Sequence, residues 1–361
     1  MTPVMNMSLV EKIADAVLYE GYILYPYRPS SVKNQQRWNF GALCPRSYSE
    51  AQGGTESWTM QTQCLVKTNP LTTLDVKVRF LHLLTREVGQ LIADCQLPIG
   101  DCGHCQVGTC GSHFALVPAL EVNGRLFQTW QEAVERDVSL PAVGLDRPDT
   151  QPTRLTFGFP AIETVEILRD ESSGEIAGVL VRRQQAITGV IEVSAERVVN
   201  DVSRATIQIL NTTPLEDAAL KTRDDALMRS SVSTHTILTV AQGEFVSLLD
   251  PPEALREAAA GCSNIGTYPV MVGEEGACDC MLSSPIILYD YPQIAPESPG
   301  NLFDGTEIDE ILTLRIMTLT EEEKREMRGA DDRARQILER TETLPMEQLM
   351  KMHGAMKGVK R

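Results

Sequence analysis

Positive charge, aromatic rings and long apolar runs are all scarce in this sequence. Its 361 residues carry 33 Lys and Arg against 49 Asp and Glu, a formal net charge of -16, with a pI near 4.8. An acidic surface repels phosphate backbones and anionic headgroups, so nucleic acid and anionic membrane are set aside as partners. No uninterrupted apolar run approaches the ~20 residues that span a bilayer. The first residues, MTPVMNMSLVEKIADAV, lack a basic start followed by an apolar core. No signal peptide and no membrane insertion are therefore expected, and a cytoplasmic location is. Catalytic signatures are missing too: there is no G-x-G-x-x-G, no Walker loop, no H-E-x-x-H and no G-x-S-x-G. Of the five histidines, His82 and His235 fall in strand-like runs, where a lone imidazole is normally structural, and His353 lies in the tail. No carboxylate pair stands out, and no catalytic residue is assigned.

What is present suits a globular protein. Hydrophobic residues make up 42% of the chain, enough to bury a core without disulfide staples. Ser8 and Glu11 form an S-x-x-E capping box, followed by an apolar stripe of Val10, Ile13, Ala14, Val17 and Leu18. Gly21 is a natural C-cap. The next stretch mixes tyrosines, arginines and Trp38: Tyr22, Tyr25 and Trp38 read as wedges between helix and sheet, while Arg28, Lys33 and Arg37 could hold an acidic partner or an anion. Two strands follow, around 58–66 and 74–80, the second with Leu74, Val76, Val78 and Phe80 alternating against Asp75, Lys77 and Arg79. The segment LTREVGQLIADC predicts a helix, Asn123-Gly124 a hairpin, and TWQEAVERDV a short helix from Thr129. Residues 141–153, with three prolines and no period, read as a linker.

Beyond it lie short β-like runs, RLTFGF, TVEILRD, IAGVLVRR, AITGVIEVSAERVVND, RATIQILN and SSVSTHTILTVAQGEFVSLL, with a turn at Asp170–Gly174 and a short helix capped by Asp250. The C-terminal part is rich in helix formers. Thr320 and Glu323 form a second capping box, Glu321–Arg325 and Asp331–Arg335 are spaced as i, i+4 pairs, and Met327, Ile337 and Leu338 make a thin apolar stripe. Such a helix reads as a solvated arm or a docking element. The expected fold is α+β: a β-rich core, an antiparallel sandwich or barrel-like, with an N-terminal helix and a C-terminal helical arm. The expected division is 1–140, a linker at 141–153, a β-rich domain at 154–300 and the arm at 301–361.

One segment concentrates thiols: Cys95-x6-Cys102-x2-Cys105-x4-Cys110, with His104 and His113 beside it. Thiolates and imidazoles at this density are candidate ligands for zinc or an iron–sulfur cluster, and interspersed glycines let a chain fold tightly round an ion. The spacing also fits a redox site or an inert loop, because only one C-x-x-C knuckle is present. Cys262, Cys278 and Cys280 form a weaker second cluster. Metal analysis with Cys102 and Cys105 replaced by serine separates these readings.

The stretches ADAVLYEGYILYPYRPSSVKNQQRWNFG (14–41), TWQEAVERDV, and SSPIILYDYPQIAPESPGNLFDGTEIDEILTLRIMTLTEEEKREMR (283–328) resemble an uncharacterised bacterial family associated with nickel–iron hydrogenase gene clusters. The resemblance implies an accessory role in maturation of a hydrogenase-like metalloenzyme. Read physically, YDYPQIAPESPG is extended and proline-stiffened. Tyr289, Asp290, Tyr291 and Pro292 are candidate partner contacts, as are Asp304, Glu307, Asp309 and Glu310, and the basic and aromatic Arg28, Arg37 and Trp38. The acidic run also suits a helix start. The expected function is a non-enzymatic accessory protein that binds a protein client. The alternatives are a metal- or thiol-dependent enzyme centred on Cys95–Cys110 and a structural subunit of a larger complex.

Overall fold

The period-2 run from Leu74 to Phe80 lies at the centre of the molecule. The computed structural model describes residues 7–23, 26–31, 34, 39–92, 114–145, 151–199, 201–293, 309–345 and 347. In chain order the elements are α1 (Met7–Tyr19), α2 (Arg46–Ala51), β1 (Thr59–Lys67), β2 (Thr73–Leu91), β3 (Phe114–Val117), β4 (Ala119–Val122), β5 (Arg125–Gln128), β6 (Trp130–Gly144), β7 (Thr153–Phe159) and β8 (Ile162–Arg169). They continue with β9 (Ile176–Gln184), β10 (Ile187–Val199), β11 (Val202–Asn211), α3 (Arg223–Leu227), β12 (Ser231–Ala241), β13 (Glu244–Val246), α4 (Arg256–Ala260), β14 (Tyr268–Met271), β15 (Cys280–Ser284), α5 (Asp309–Met317), α6 (Glu321–Ala330) and α7 (Asp332–Glu342).

Two antiparallel sheets carry the fold. The first has the order β13-β1-β11-β10-β7; the second runs β14-β15-β12-β2-β9-β8, with β3 and β6 also paired to β2. The sheets face each other across one core, where Leu74, Val76, Val78 and Phe80 of β2 meet Met60, Cys64 and Val66 of β1 and Ile187, Ile191 and Val193 of β10. Each large apolar side chain buried there contributes roughly 1.5–3 kcal/mol. The other face of the second sheet is covered by helices. Val10, Ile13, Ala14 and Val17 of α1 cover Ile237, Val270 and Leu282, while α5–α7 cover Leu81 and Leu83 through Leu312, Ile316, Met327, Ile337 and Leu338. This is the α+β, β-rich architecture expected.

Three local expectations give way. Over its described part, LTREVGQLIADC is strand and not helix: β2 runs to Leu91, paired with β9 and β3 over its second half. TWQEAVERDV is not a helix either; it begins β6, which pairs with β2 from Thr73 to Arg86. In both, a long cross-strand ladder overrides helix-favouring Glu, Gln and Ala, whose propensities differ by less than about 1 kcal/mol per residue. Nor does Asp250 cap the short helix: Pro252 stands at the N-cap of a 3-10 turn, Glu253–Leu255, that leads into α4. The other turns are as read. Asn123 and Gly124 both take positive φ, 53° and 73°, as a type I′ hairpin requires. Asp170 accepts hydrogen bonds from the backbone and hydroxyls of Ser172 and Ser173 between β8 and β9.

The 141–153 segment does not divide the sheets. β1 pairs with β11, and β2 pairs with β9 and β12, so strands from both sides of it share each sheet. Pro141 to Gly144 belong to β6, and residues 146–150 lie outside the described residues. The C-terminal helices are docked. The Thr320–Glu323 capping box closes in both directions, at 3.2 and 2.8 Å. Met327, Ile337 and Leu338 are buried. Arg325 reaches Glu121 of β4 rather than Glu321, and Asp331 caps α7 through the Ala334 N–H while Arg335 pairs with Asp332.

Candidate partner-binding surface

The tyrosine segment after β15 runs back along β14. The Ser284 hydroxyl donates to the Ile286 carbonyl, and the Tyr291 N–H donates to the Met271 carbonyl at 2.8 Å. Between these ties the side chains alternate. Ile286 and Leu288 turn inward against the core under α1. Ile287 and Tyr289 face solvent, 72% and 84% exposed.

Asp290 locks this arrangement. Its Oδ2 accepts from the Ser247 hydroxyl at 2.6 Å and its Oδ1 from the Met271 N–H at 2.8 Å. Tyr291, at φ 55°, packs against the intersheet core, and its hydroxyl donates to the Ala277 carbonyl at 2.9 Å. Burial pushes that hydroxyl's pKa up. Pro292 is half-buried. Of the four residues singled out here, Tyr289 is the outward one, while Asp290 and Tyr291 hold the segment. Ser247 Oγ also accepts from the N–H groups of Leu249 and Asp250.

The remaining candidates fall elsewhere. Arg28 pairs with Glu323 at 3.0 Å and Glu326 at 3.8 Å, and Ser30 donates to Glu326, so this arginine clips α6 to the N-terminal segment. Asp309 and Glu310 begin α5. Arg37, Trp38, Asp304, Glu307, Cys95, Cys102, Cys105, Cys110, His104 and His113 lie outside the described residues. Of the aromatic wedges, Tyr22 is buried against Leu81 and Leu83; Tyr25, with Trp38, is outside. Among the described residues no group of three or more His, Cys, Asp or Glu is placed to hold a metal ion. Cys278 and Cys280 do not form a dithiol face: Cys278 packs against the intersheet core and Cys280 against the core beneath α1, where burial pushes its thiol up to about 12.

A cleft of about 220 Å³ between α1, β2 and β6 escaped the sequence reading. It is lined by Glu11, Asp15, Lys77, Arg79, Glu135, Arg136 and Asp137. Its charges largely answer one another. Arg79 reaches Asp15 at 2.7 Å and Glu135 at 3.4 Å, and Lys77 lies 4.0 Å from Glu11. Tyr19 and Arg333 both donate to Glu135, and the Arg333 guanidinium sits 4.1 Å over the Tyr19 ring. Burial pushes the Glu135 carboxyl up, but these donors and Arg79 outweigh it and hold the group below its usual range. The network joins α1 and α7 to the sheet. His82 and His235 are fully buried, on β2 and β12, and burial pushes both down to about 4. Both imidazoles are therefore neutral near pH 7. No family model matches the chain, and no curated protein is significantly similar to it.

Proposed function

We propose that this chain is a non-enzymatic accessory protein that holds a protein client, and, on the resemblance of residues 14–41 and 283–328, that the client is a component of a nickel–iron hydrogenase during its assembly. The observation that carries the reading is Tyr289. A large interface-favoured side chain stands 84% exposed on a segment that Asp290 and Tyr291 immobilise. Immobilised aromatic surface costs little ordering entropy on binding. Among the described residues, the charged cleft and the buried histidines are accounted for by holding the fold together, while Ile287 and Tyr289 face outward.

The test is co-purification from the native cell. Wild-type chain is expected to bring down a hydrogenase subunit, and Ile287→Ser/Tyr289→Ser to bring down at least about tenfold less, the scale of losing an anchor residue. Hydrogenase activity of that strain should fall in parallel. Both residues are exposed, so their replacement should alter stability by only about 0.5 kcal/mol. A stably folded double variant with full co-purification and full hydrogenase activity rejects the reading.

A further inference from the structure

We propose that α1 is a proton-sensitive cover: binding of a proton by His235, which lies beneath it, favours release of the helix from the second sheet. The device is independent of client binding.

β12 pairs with β2 without interruption from His235 to Ala241, so His235 and Ile237 point to the same side of the sheet. Ile237 packs there with Val10, Ile13, Ala14 and Val17 of α1. On the other side of His235 along the strand, the Ser233 hydroxyl donates to the Val17 carbonyl at 3.1 Å. Across the ladder His235 stands opposite Arg79, whose guanidinium reaches Asp15 of α1 at 2.7 Å. Contacts to α1 therefore flank the imidazole both along its strand and across the ladder, and it is fully buried.

A proton taken up there meets an unfavourable setting. The Nδ1–H donates to the Ser233 carbonyl, so the proton goes to Nε2, which has no hydrogen-bond partner among the described residues. Burial opposes the charge most, Arg79 and Lys77 of β2 add to it, and the Ser233 carbonyl and Glu135 of β6 work against them. Glu135 is already answered by Tyr19, by Arg79 and by Arg333 of α7. Asp15 and Glu11 of α1 answer Arg79 and Lys77. Asp137 of β6 lies beyond Arg79, its ladder partner, and Arg136 lines the same cleft. From β15, Cys280 presents a thiol that burial pushes up to about 12, and so uncharged. Lifting α1 lets water reach Nε2 and removes the largest of these penalties, so the released form binds the proton more tightly. Release therefore grows as pH falls below 6.5, and it bares an apolar strip that includes Ile237, Val270 and Leu282.

Hydrogen exchange of the full chain, read by mass spectrometry and corrected for the intrinsic rate, tests this. Protection of the α1 amides should lie below that of β1 and β11 throughout, and should fall about tenfold or more between about pH 7.5 and about pH 5. His235→Gln should remove most of that fall. His82→Gln should retain it, because His82 lies on the opposite face of β2, with Phe80 and against Phe159. Global unfolding, by contrast, would register both histidines. Asp15→Asn should lower α1 protection at every pH and keep the slope, which separates the histidine from the ion pair. The proposal is overturned by α1 protection that is constant over this range or equal to that of β1 and β11. A fall that persists in His235→Gln, one that His82→Gln abolishes equally, or a slope that Asp15→Asn removes also overturns it. Should His235→Gln not fold, the wild-type profile with the His82→Gln and Asp15→Asn variants still decides.

Discussion

His82 and His235 show how a single side chain can carry a measurable consequence without a catalytic role. His82 Nε2 lies 2.8 Å from the Gln185 carbonyl and His235 Nδ1 lies 2.9 Å from the Ser233 carbonyl. A carbonyl only accepts, so those nitrogens carry the protons. The opposite nitrogens, His82 Nδ1 and His235 Nε2, are buried without a hydrogen-bond partner. A second proton would place an unanswered charge in the interior, which is why both groups are pushed down from 6.5 to about 4. The sign follows from linkage. Between pH 6.5 and 4 the unfolded chain binds more protons than the folded one, so stability falls as pH falls through that window. The loss saturates below pH 4, at up to about 3 kcal/mol per histidine. Urea unfolding should give constant stability from pH 7 to 8 and a decline below pH 6.5, with a slope that His235→Gln reduces by about one proton. An unchanged slope would assign the pH dependence elsewhere.

Among the elements, α6 shows how a helix reading strand-by-strand as solvated becomes part of the body. Its capping box and charge pattern were legible, because caps and i, i+4 spacing are local. Its docking was not, because a thin stripe of Met327 with Ile337 and Leu338 of α7 does not reveal the Leu81–Leu83 surface it meets. Gly329 marks the closest approach: a Cβ there would lie 2.3 Å from the Leu126 carbonyl oxygen of β5. Arg86, buried on β2, donates to the Gly329 carbonyl at 2.8 Å and pairs with Glu132 at 2.8 Å, answering a carbonyl that the helix end leaves open. Gly329→Ala should therefore destabilise, although alanine in an exposed helix would stabilise by about 1 kcal/mol. The expected outcome is a loss of about 1–3 kcal/mol, the usual cost of overpacking, with faster hydrogen exchange across 309–345. Unchanged exchange there would mean that the close contact does not hold the helix.

At the scale of the whole molecule, the two sheets braid the chain. β1 and β2 precede residue 141, yet their partners β11, β9 and β12 all follow residue 153. Cutting between them removes ladder partners from both sheets and opens the core that contains Val76, Phe80, Ile191 and Ile207. Fragments 1–145 and 151–361, produced separately, should each lack a cooperative thermal transition by circular dichroism, and mixing them should restore one. A fragment that unfolds cooperatively alone would show that its half of the braid suffices. Composition shifts pointed to a boundary because proline and turn residues mark a surface connection as readily as a domain linker.

What the sequence determined by itself is the set of local devices: the α1 stripe, most strands, the Asn123-Gly124 and Asp170–Gly174 turns and the Thr320 cap. Each depends on a few neighbouring residues and leaves its mark in their order. The tertiary structure decided the rest. Only pairing along both edges of β2 turned 84–91 and 130–138 from helix-favouring segments into strands. Only the inward packing of Ile286 and Leu288 turned Ile287 outward, and only the Ser247–Asp290 bond joined the tyrosine segment to the stretch after β13. Ladder partners and tethers far apart in the chain have no period to read, because the hydrogen bonds that join them depend on backbone groups every residue possesses.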